Sequence, residues 1–454
     1  MSLHGIGTDA GLHPGIPSRL PLAALQEHLS DAEILAICGG LDHVWRDRKL
    51  PPPRMVRSMV YRSLHHDRSI AAVLAELAAE MDPAGVPPTD SAWCQARSAL
   101  PEGLWTELIA RSARRLCDAV EARYTYEGRP IFLFDGTTLS MPDEPDLART
   151  FGYSSSQHGH SRFPVARVSM LVRWGVWAIC DYRMDPYVCN ENEQFRQMWH
   201  LLPDGCICIV DKHFSSFFTL AKLAQRDIGV IAPLHQARSP WALIRSGCRI
   251  GHNQWLVPLE LGPALRKKYG DPSLPQQLLV RLIRVRRRTW GPHSDLWLVT
   301  TLLNPALYPA AVLAQWYRQR WPIETRLGSI KTTLQLNVLR SKTPVGARSE
   351  VAATILAHNL VWRVIHQAAN QEKVQADRVS FAGAVKLILA FSQPLRLARA
   401  PERENLYRRL LERVASAQNR DRPNRVEPRR IKRQTNRYPF LKEPRWKARL
   451  KCLS

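Results

Sequence analysis

No stretch of the 454 residues comes near the roughly 20 consecutive apolar residues that a membrane-crossing helix needs. The opening Met-Ser-Leu-His-Gly also lacks the basic-then-apolar order of a secretory leader, so the cytosol is the expected compartment. Cysteine is sparse and scattered. Its nine copies include no C-x2-C knuckle, and the closest pair, Cys206 and Cys208, sits at strand spacing inside an apolar run, which predicts buried thiols and no zinc or disulfide framework. Acids are the scarcer charge. Lys and Arg total 64 against 40 Asp and Glu, a formal charge of +24 and a pI near 10.1, which makes a polyanion, and nucleic acid before membrane, the first partner to consider.

What is present is a chain with 45% hydrophobic residues, enough for a large core. Up to residue 125 the periodicity is helical. Ser30 and Glu33 form a capping-box pattern, residues 55–64 and 70–77 repeat at helical spacing, and Asp90-Ser91 is the expected cap of a further helix. Arg46, Arg48, Lys49, Arg54, Arg57 and Arg62 give this region a positive surface, read either as a DNA-binding face or as an ordinary solvated one.

From Arg129 the pattern turns to strands. Ile131-Phe132-Leu133-Phe134 reads as a buried strand ending in Asp135-Gly136, and residues 206–210 as another ending in Asp211. Between them, residues 165–174 and 176–184 read as a hairpin turning at Gly175. Residues 217–224 are helical in pattern, 230–234 strand-like, and about 236–300 a mainly β insertion. A helical stretch follows over 310–336, in which Pro322 must start a helix or bend one. Residues 420–451 carry 13 Lys or Arg against three acids, as expected of a basic nucleic-acid-binding arm.

Two acids at strand ends and a third, Glu324, on a later helix suit two-metal phosphoryl transfer. Hard divalent ions take oxygen ligands, and three converging carboxylates can hold two ions about 4 Å apart. Tyr317, Arg320, Glu324 and Lys331 fall along one face of a continuous helix, setting the carboxylate among groups that clamp phosphate. An Arg320–Glu324 intrahelical ion pair is the plainer alternative. Acid/base hydrolysis of a glycan is open to any two acids, and the cations around Glu324 disfavour it.

These residues resemble the DDE transposases of bacterial insertion sequences, specifically the insertion-sequence-four family. Tyr317-x2-Arg320-x3-Glu324-x6-Lys331 matches that family's signature in all four residues and every interval. Phe134-Asp135-Gly136-Thr137 and Val210-Asp211-Lys212-His213-Phe214 are similar to its first and second acidic motifs, with Phe163-Pro164-Val165-Ala166-Arg167 between them and Arg429-Arg430-Ile431-Lys432-Arg433 near the end. The resemblance implies a fold of the α/β class: an RNase-H-like catalytic core with a β-rich insertion, a helical N-terminal domain and a basic tail. The expected domains are 1–125 (helical, DNA-binding), 126–235 (first part of the core), 236–300 (insertion), 301–400 (second part, with the Glu helix) and 401–454 (basic tail).

It further implies catalytic and metal-binding roles for Asp135, Asp211 and Glu324 with two Mg2+ ions, Mn2+ being a substitute, and DNA contacts from Tyr317, Arg320 and Lys331. Related insertions present an aromatic to a flipped base, for which Trp290, preceded by Arg286, Arg287 and Arg288, is the candidate and Trp255 the rival. The function so implied is cut-and-paste transposition by a bacterial, nucleoid-associated homodimer acting on terminal inverted repeats and target DNA. The alternatives are another RNase-H-like metal-dependent nuclease and an inactive, transposase-derived DNA-binding protein.

Overall fold

The structure is a computed structural model and describes residues 29–45, 49–65, 69–81, 88–120, 123–156, 159–286, 295–336 and 338–419. Within these, the side chains of residues 76–81, 155–162 and 319–329 are not described. The expected arm over 420–451, Arg46, Arg48 and Trp290 lie outside the described residues.

The first part is helical: α1 (Asp31–Gly40), α2 (Pro52–Leu64), α3 (Ile70–Met81), α4 (Asp90–Ala99) and α5 (Glu102–Val120). Ser30 caps α1 by accepting from the Glu33 amide at 3.2 Å. Glu33 does not complete the box, because its carboxylate turns instead to Arg115 at 2.8 Å, tying α1 to α5. The cap of α4 is Thr89, one residue before the expected pair, and it accepts from Ala92 at 3.1 Å. Of the arginines read as surface charge, Arg57 is buried: it donates to the Leu29 carbonyl and pairs with Asp31, closing the start of α1 onto α2.

Then come β1 (Thr125–Tyr126), β2 (Arg129–Ser140), α6 (Pro145–Phe151), β3 (Tyr153–Ser156), β4 (Gly159–Arg173), β5 (Ile179–Pro186), α7 (Glu191–Gln197), β6 (Ile207–Ile209), α8 (Phe217–Ala224) and β7 (Gly229–Pro233). α9 (Pro240–Arg245), β8 (Cys248–Gly251), β9 (Gln254–Glu260), α10 (Pro263–Tyr269), β10 (Gln277–Val285) and β11 (Leu296–Thr300) follow. The chain continues through α11 (Ala310–Thr332), α12 (Pro344–Gln371), α13 (Phe381–Leu397) and α14 (Ala400–Ser416). Residues 400–416, read as the start of a basic tail, are thus helical. Leu410, Leu411 and Val414 bury one side of α14 against the main core, so an apolar stripe overrides the basic composition.

Among the described residues the strands form one mixed 11-stranded sheet. β2 is flanked by antiparallel β4 and parallel β6, β5 lies on the far side of β4, and β7 runs parallel to β6. β11 pairs antiparallel with β7, and β10, β9 and β8 continue outward, so the strands of 236–300 prolong the central sheet. The β4–β5 turn is wider than a hairpin at Gly175, since β5 begins only at Ile179. Trp177 takes a positive φ of 62° there, which lets its indole bury against Trp362 of α12 and donate to Asp377 at 2.7 Å.

Alternation along the strands divides the core between two faces. Ile131 and Leu133 of β2 and Ile207 and Ile209 of β6 join α2, α5, α11 and α12, whereas Phe132, Phe134, Cys208 and Val210 face Phe195 and α8. Cys206 and Cys208 are fully buried as expected, and burial pushes the Cys206 thiol up to about 12.

α12 is apolar almost all round because it lies in the middle of the helical layer, between α5, α2, α14 and β5. Its Asn359 completes the edge of β5: Oδ1 accepts from the Ile179 amide at 2.9 Å while Nδ2 donates to the Ile179 carbonyl at 3.0 Å. Both backbone groups would otherwise be buried without partners, which costs about 1–3 kcal/mol each.

Candidate active site

Asp135 does not end its strand. β2 runs on to Ser140 because β4 pairs along its whole length, with Asp135 opposite Met170 and Ser140 opposite Val165. Asp211 does lie past its strand, in extended conformation, as the cap of a short 3-10 helix over Lys212–Phe214. β2 and β6 pair in parallel as Ile131↔Ile207, Phe132↔Cys208 and Leu133↔Ile209. The pairing ends there, and Asp135 and Asp211 each follow two residues after its last pair. Within β2, strand alternation puts Asp135 on the face of Leu133, which belongs to the core that also takes in α11.

Local hydrogen bonds steady each acid. Asp135 Oδ1 accepts from the Gly136 amide at 3.0 Å, and Asp211 Oδ1 from the Lys212 amide at 2.7 Å. On the opposite face, Phe134 lies 4.5 Å from Phe195 and 5.1 Å, edge-on, from Phe214, ring centre to ring centre. Such pairs contribute about 0.5–1.5 kcal/mol each beyond burial. They hold together the backbone just before the first acid and just after the second.

Behind Gly136 stand Glu191, Ser169 and Gln194, none of which sequence reasoning singled out. A Cβ at Gly136 would meet Glu191 Oε1 at 3.1 Å and Ser169 Oγ at 3.3 Å. Glu191 pairs with Arg167, and Gln194 joins Ser169 to Asp185 through contacts of 2.6 and 2.7 Å. The available signal was Asn190 ahead of an acid-rich first turn, which caps α7 in the structure.

α11 is one helix of 23 residues, so Pro322 neither starts nor ends it. Leu313, Trp316 and Tyr317 on one side of the proline and Ile330 on the other are buried in the same cluster, and packing at both ends holds the helix across the missing donor. Glu324 and Arg320 lie on this helix, with side chains outside the described set. Tyr317 is 9% exposed and belongs to the core. Lys331 is half-buried. Burial pushes its ammonium pKa down, and the charge of Asp135 opposes that shift. His213 is exposed on the 3-10 helix after Asp211.

The carboxylates of Asp135 and Asp211 are hard oxygen donors of the kind a divalent ion such as Mg2+ takes. Among the described residues no group of three or more His, Cys, Asp or Glu forms a metal site. At the far end of the sheet, Trp255 packs on Trp297 at 5.7 Å, as a sheet-packing residue does. Trp241, unremarked in the sequence, is 55% exposed, and Arg284 lies over its ring at 5.4 Å.

The family model described as "Transposase DDE domain" matches residues 126–360, from the start of the sheet into α12. This chain belongs to the DDE transposase family. It is an enzyme of the DNA-cleaving transposase class, and the insertion-sequence-four resemblance holds along its length. The transposase is 24% identical over 429 residues to "Transposase InsG for insertion sequence element IS4" of Escherichia coli (strain K12), covering 93% of this chain and 94% of the relative. A solved structure titled "Cryo-EM structure of piggyBac transposase synaptic complex with hairpin DNA (SNHP)" aligns with a TM-score of 0.46 at 11% identity, over 90% of this chain and 87% of that one. No helix of the transposase, among its described residues, is long and apolar enough to cross a membrane.

Proposed function

We propose that this transposase binds the terminal inverted repeats of an insertion sequence, cleaves at their ends and joins the freed 3′ end to target DNA. The observation that carries the reading is the parallel pairing of β2 and β6, whose last pair, Leu133↔Ile209, lies two residues before Asp135 and Asp211 in the core that also takes in the helix bearing Glu324. The five strands β5, β4, β2, β6 and β7, with only β4 running against the rest, support an RNase-H-like core.

Asp135, Asp211 and Glu324 would hold two Mg2+ ions. When bound, these supply an activated attacking oxygen and neutralise charge at the scissile phosphodiester. Acids carried in or directly after paired strands would need little ordering when DNA binds. Lys331, whose ammonium feels the charge of Asp135, and Arg320 on the same helix offset phosphate charge. Tyr317, mostly buried, acts through its hydroxyl or by holding α11 in place. Trp290 stacks on a base, and two copies of the chain bring two ends together in the bacterial nucleoid.

The experiment is a cleavage and strand-transfer assay with supercoiled donor DNA carrying the element's ends. Wild type is expected to cleave and join only with Mg2+ or Mn2+, and EDTA to stop both steps. Glu324→Ala is expected to bind ends and cleave none. Cleavage without joining of a pre-cut end would indicate a nuclease instead, and full activity in Glu324→Ala would overturn the site.

A further inference from the structure

Strand alternation puts Gly136 on the opposite face of β2 from Asp135, the face of Phe134 and the apolar cluster around Phe195. A group of buried polar side chains interrupts that apolar face directly behind Gly136. Ser169, which pairs with Gly136 from β4, and Gln194 of α7 are 0% and 1% exposed. The Ser169 hydroxyl donates to Gln194 Oε1 at 2.6 Å, and Gln194 Nε2 donates to Asp185 Oδ2 of β5 at 2.7 Å. Glu191, at the start of α7, pairs with Arg167 of β4, whose Nε and Nη2 both donate to the Tyr187 carbonyl at 3.3 Å. β4, β5 and α7 are thereby tied together at one point.

The strand bearing the first acid leans on that point through its glycine. A Cβ at Gly136 would stand 3.1 Å from Glu191 Oε1 and 3.3 Å from Ser169 Oγ, so only a residue without one lets the backbone approach this closely. The Gly136 amide in turn donates to Asp135 Oδ1 at 3.0 Å. Whatever sets the tilt of the Gly136 peptide therefore also sets the Asp135 carboxylate. Stability does not account for the polar choice, since apolar groups of the same shape can replace a buried hydrogen-bonded pair at little cost. A satisfied polar network fixes one arrangement, where apolar packing tolerates several.

We propose that Gln194 is a positioning residue for Asp135. With Ser169, Asp185 and the Glu191–Arg167 pair it fixes the Gly136 peptide, and through that peptide the carboxylate. The inference rests on the reading that Asp135 holds a divalent ion.

The test measures the Mn2+ affinity of the full chain from the electron paramagnetic resonance signal of the free ion, beside urea unfolding of the metal-free chain. The proteins are wild type, Asp135→Asn, Gln194→Met, Ser169→Ala, Asn359→Leu and the double variant Gln194→Glu with Asp185→Asn. Loss of an outer partner of a metal ligand costs 10–100-fold in affinity, so Gln194→Met is expected to weaken Mn2+ binding by about tenfold or more. The double variant exchanges amide and acid, keeps the charge and both hydrogen bonds, and is expected to bring most of the affinity back. Asn359→Leu, which breaks buried hydrogen bonds at Ile179, is expected to lose stability and keep the wild-type affinity.

Wild-type Mn2+ affinity in Gln194→Met would overturn the proposal, and so would an equal weakening in Asn359→Leu, because the network would then serve stability alone. Should Gln194→Met fail to fold, Ser169→Ala decides, since it deletes one hydroxyl: weakened Mn2+ binding supports the proposal and unchanged binding overturns it. Loss of the ion in Asp135→Asn but not in Gln194→Met would sink the positioning role and keep the metal site. Wild-type Mn2+ binding in Asp135→Asn would sink the metal site, and the proposal with it.

Discussion

Leu133 of β2 and Ile209 of β6 form the last parallel register pair between those strands, and Asp135 and Asp211 follow two residues later on the two segments. Each of Asp135→Asn and Asp211→Asn removes one carboxylate from that pair without altering its shape. Loss of an outer partner of a metal ligand already costs 10–100-fold, so each variant is expected to lower strand cleavage by more than about 100-fold. Circular dichroism and duplex affinity should stay as in wild type. A variant that cleaves within about tenfold of wild type would remove that residue from the site.

Asn359 lends its carboxamide to the edge of β5 and also donates to Ser112 on α5 at 3.0 Å. Asn359→Leu keeps the volume and strands both backbone groups of Ile179. A loss of about 2–4 kcal/mol is expected from urea unfolding, with the m-value unchanged. A loss below about 1 kcal/mol would mean that water takes over the two groups.

Arg57 separates a structural arginine from a DNA-binding one. Its guanidinium is buried against the Leu29 carbonyl and Asp31, so Arg57→Ala should cost about 1.5–3 kcal/mol of folding stability. The salt slope of duplex binding should not change, because no phosphate contact is lost. A slope reduced by about 0.9 would return Arg57 to the DNA-binding face.

Gly346 opens the first turn of α12 to Arg97. A Cβ there would stand 2.6 Å from Arg97 Nη2 and 2.9 Å from Thr343 Oγ1. Gly346→Ala is therefore expected to push Arg97 off Ser341 and destabilise the chain by about 1–3 kcal/mol, read as a lowered Tm. An unchanged Tm would show that the guanidinium moves aside freely.

Cys206 offers a chemical check on the sheet. Burial pushes its thiol up to about 12, so at about pH 8 almost none is thiolate and iodoacetamide should leave it unmodified until the chain unfolds. The exposed Cys248 should react in the native state. Mass spectrometric mapping distinguishes them, and rapid native labelling of Cys206 would contradict its place in the sheet.

Much of the site was legible in the chain because it is written locally. Ser30 announces the start of a helix, the apolar run before Asp135 announces a buried strand, and the intervals from Tyr317 to Lys331 announce one helical face. The places where local reading failed were settled by distant partners. Asp135 was expected at a strand end, but β4 extends the pairing to Ser140. Pro322 was expected to start a helix or bend one, and it lies inside a single helix that packing at both ends keeps whole.

By itself, then, the sequence determined the basic charge, the order of the elements and the absence of a membrane-spanning run, and it singled out three acids as candidates, since composition and periodicity depend on near neighbours alone. The tertiary structure decided that β2 and β6 pair in parallel just before the two acids, that Asp135 lies within its strand, and that Arg57 is internal while Arg62 lines a cleft. Register, burial and charge neighbours come from segments far apart in the chain, and no spacing along it encodes them.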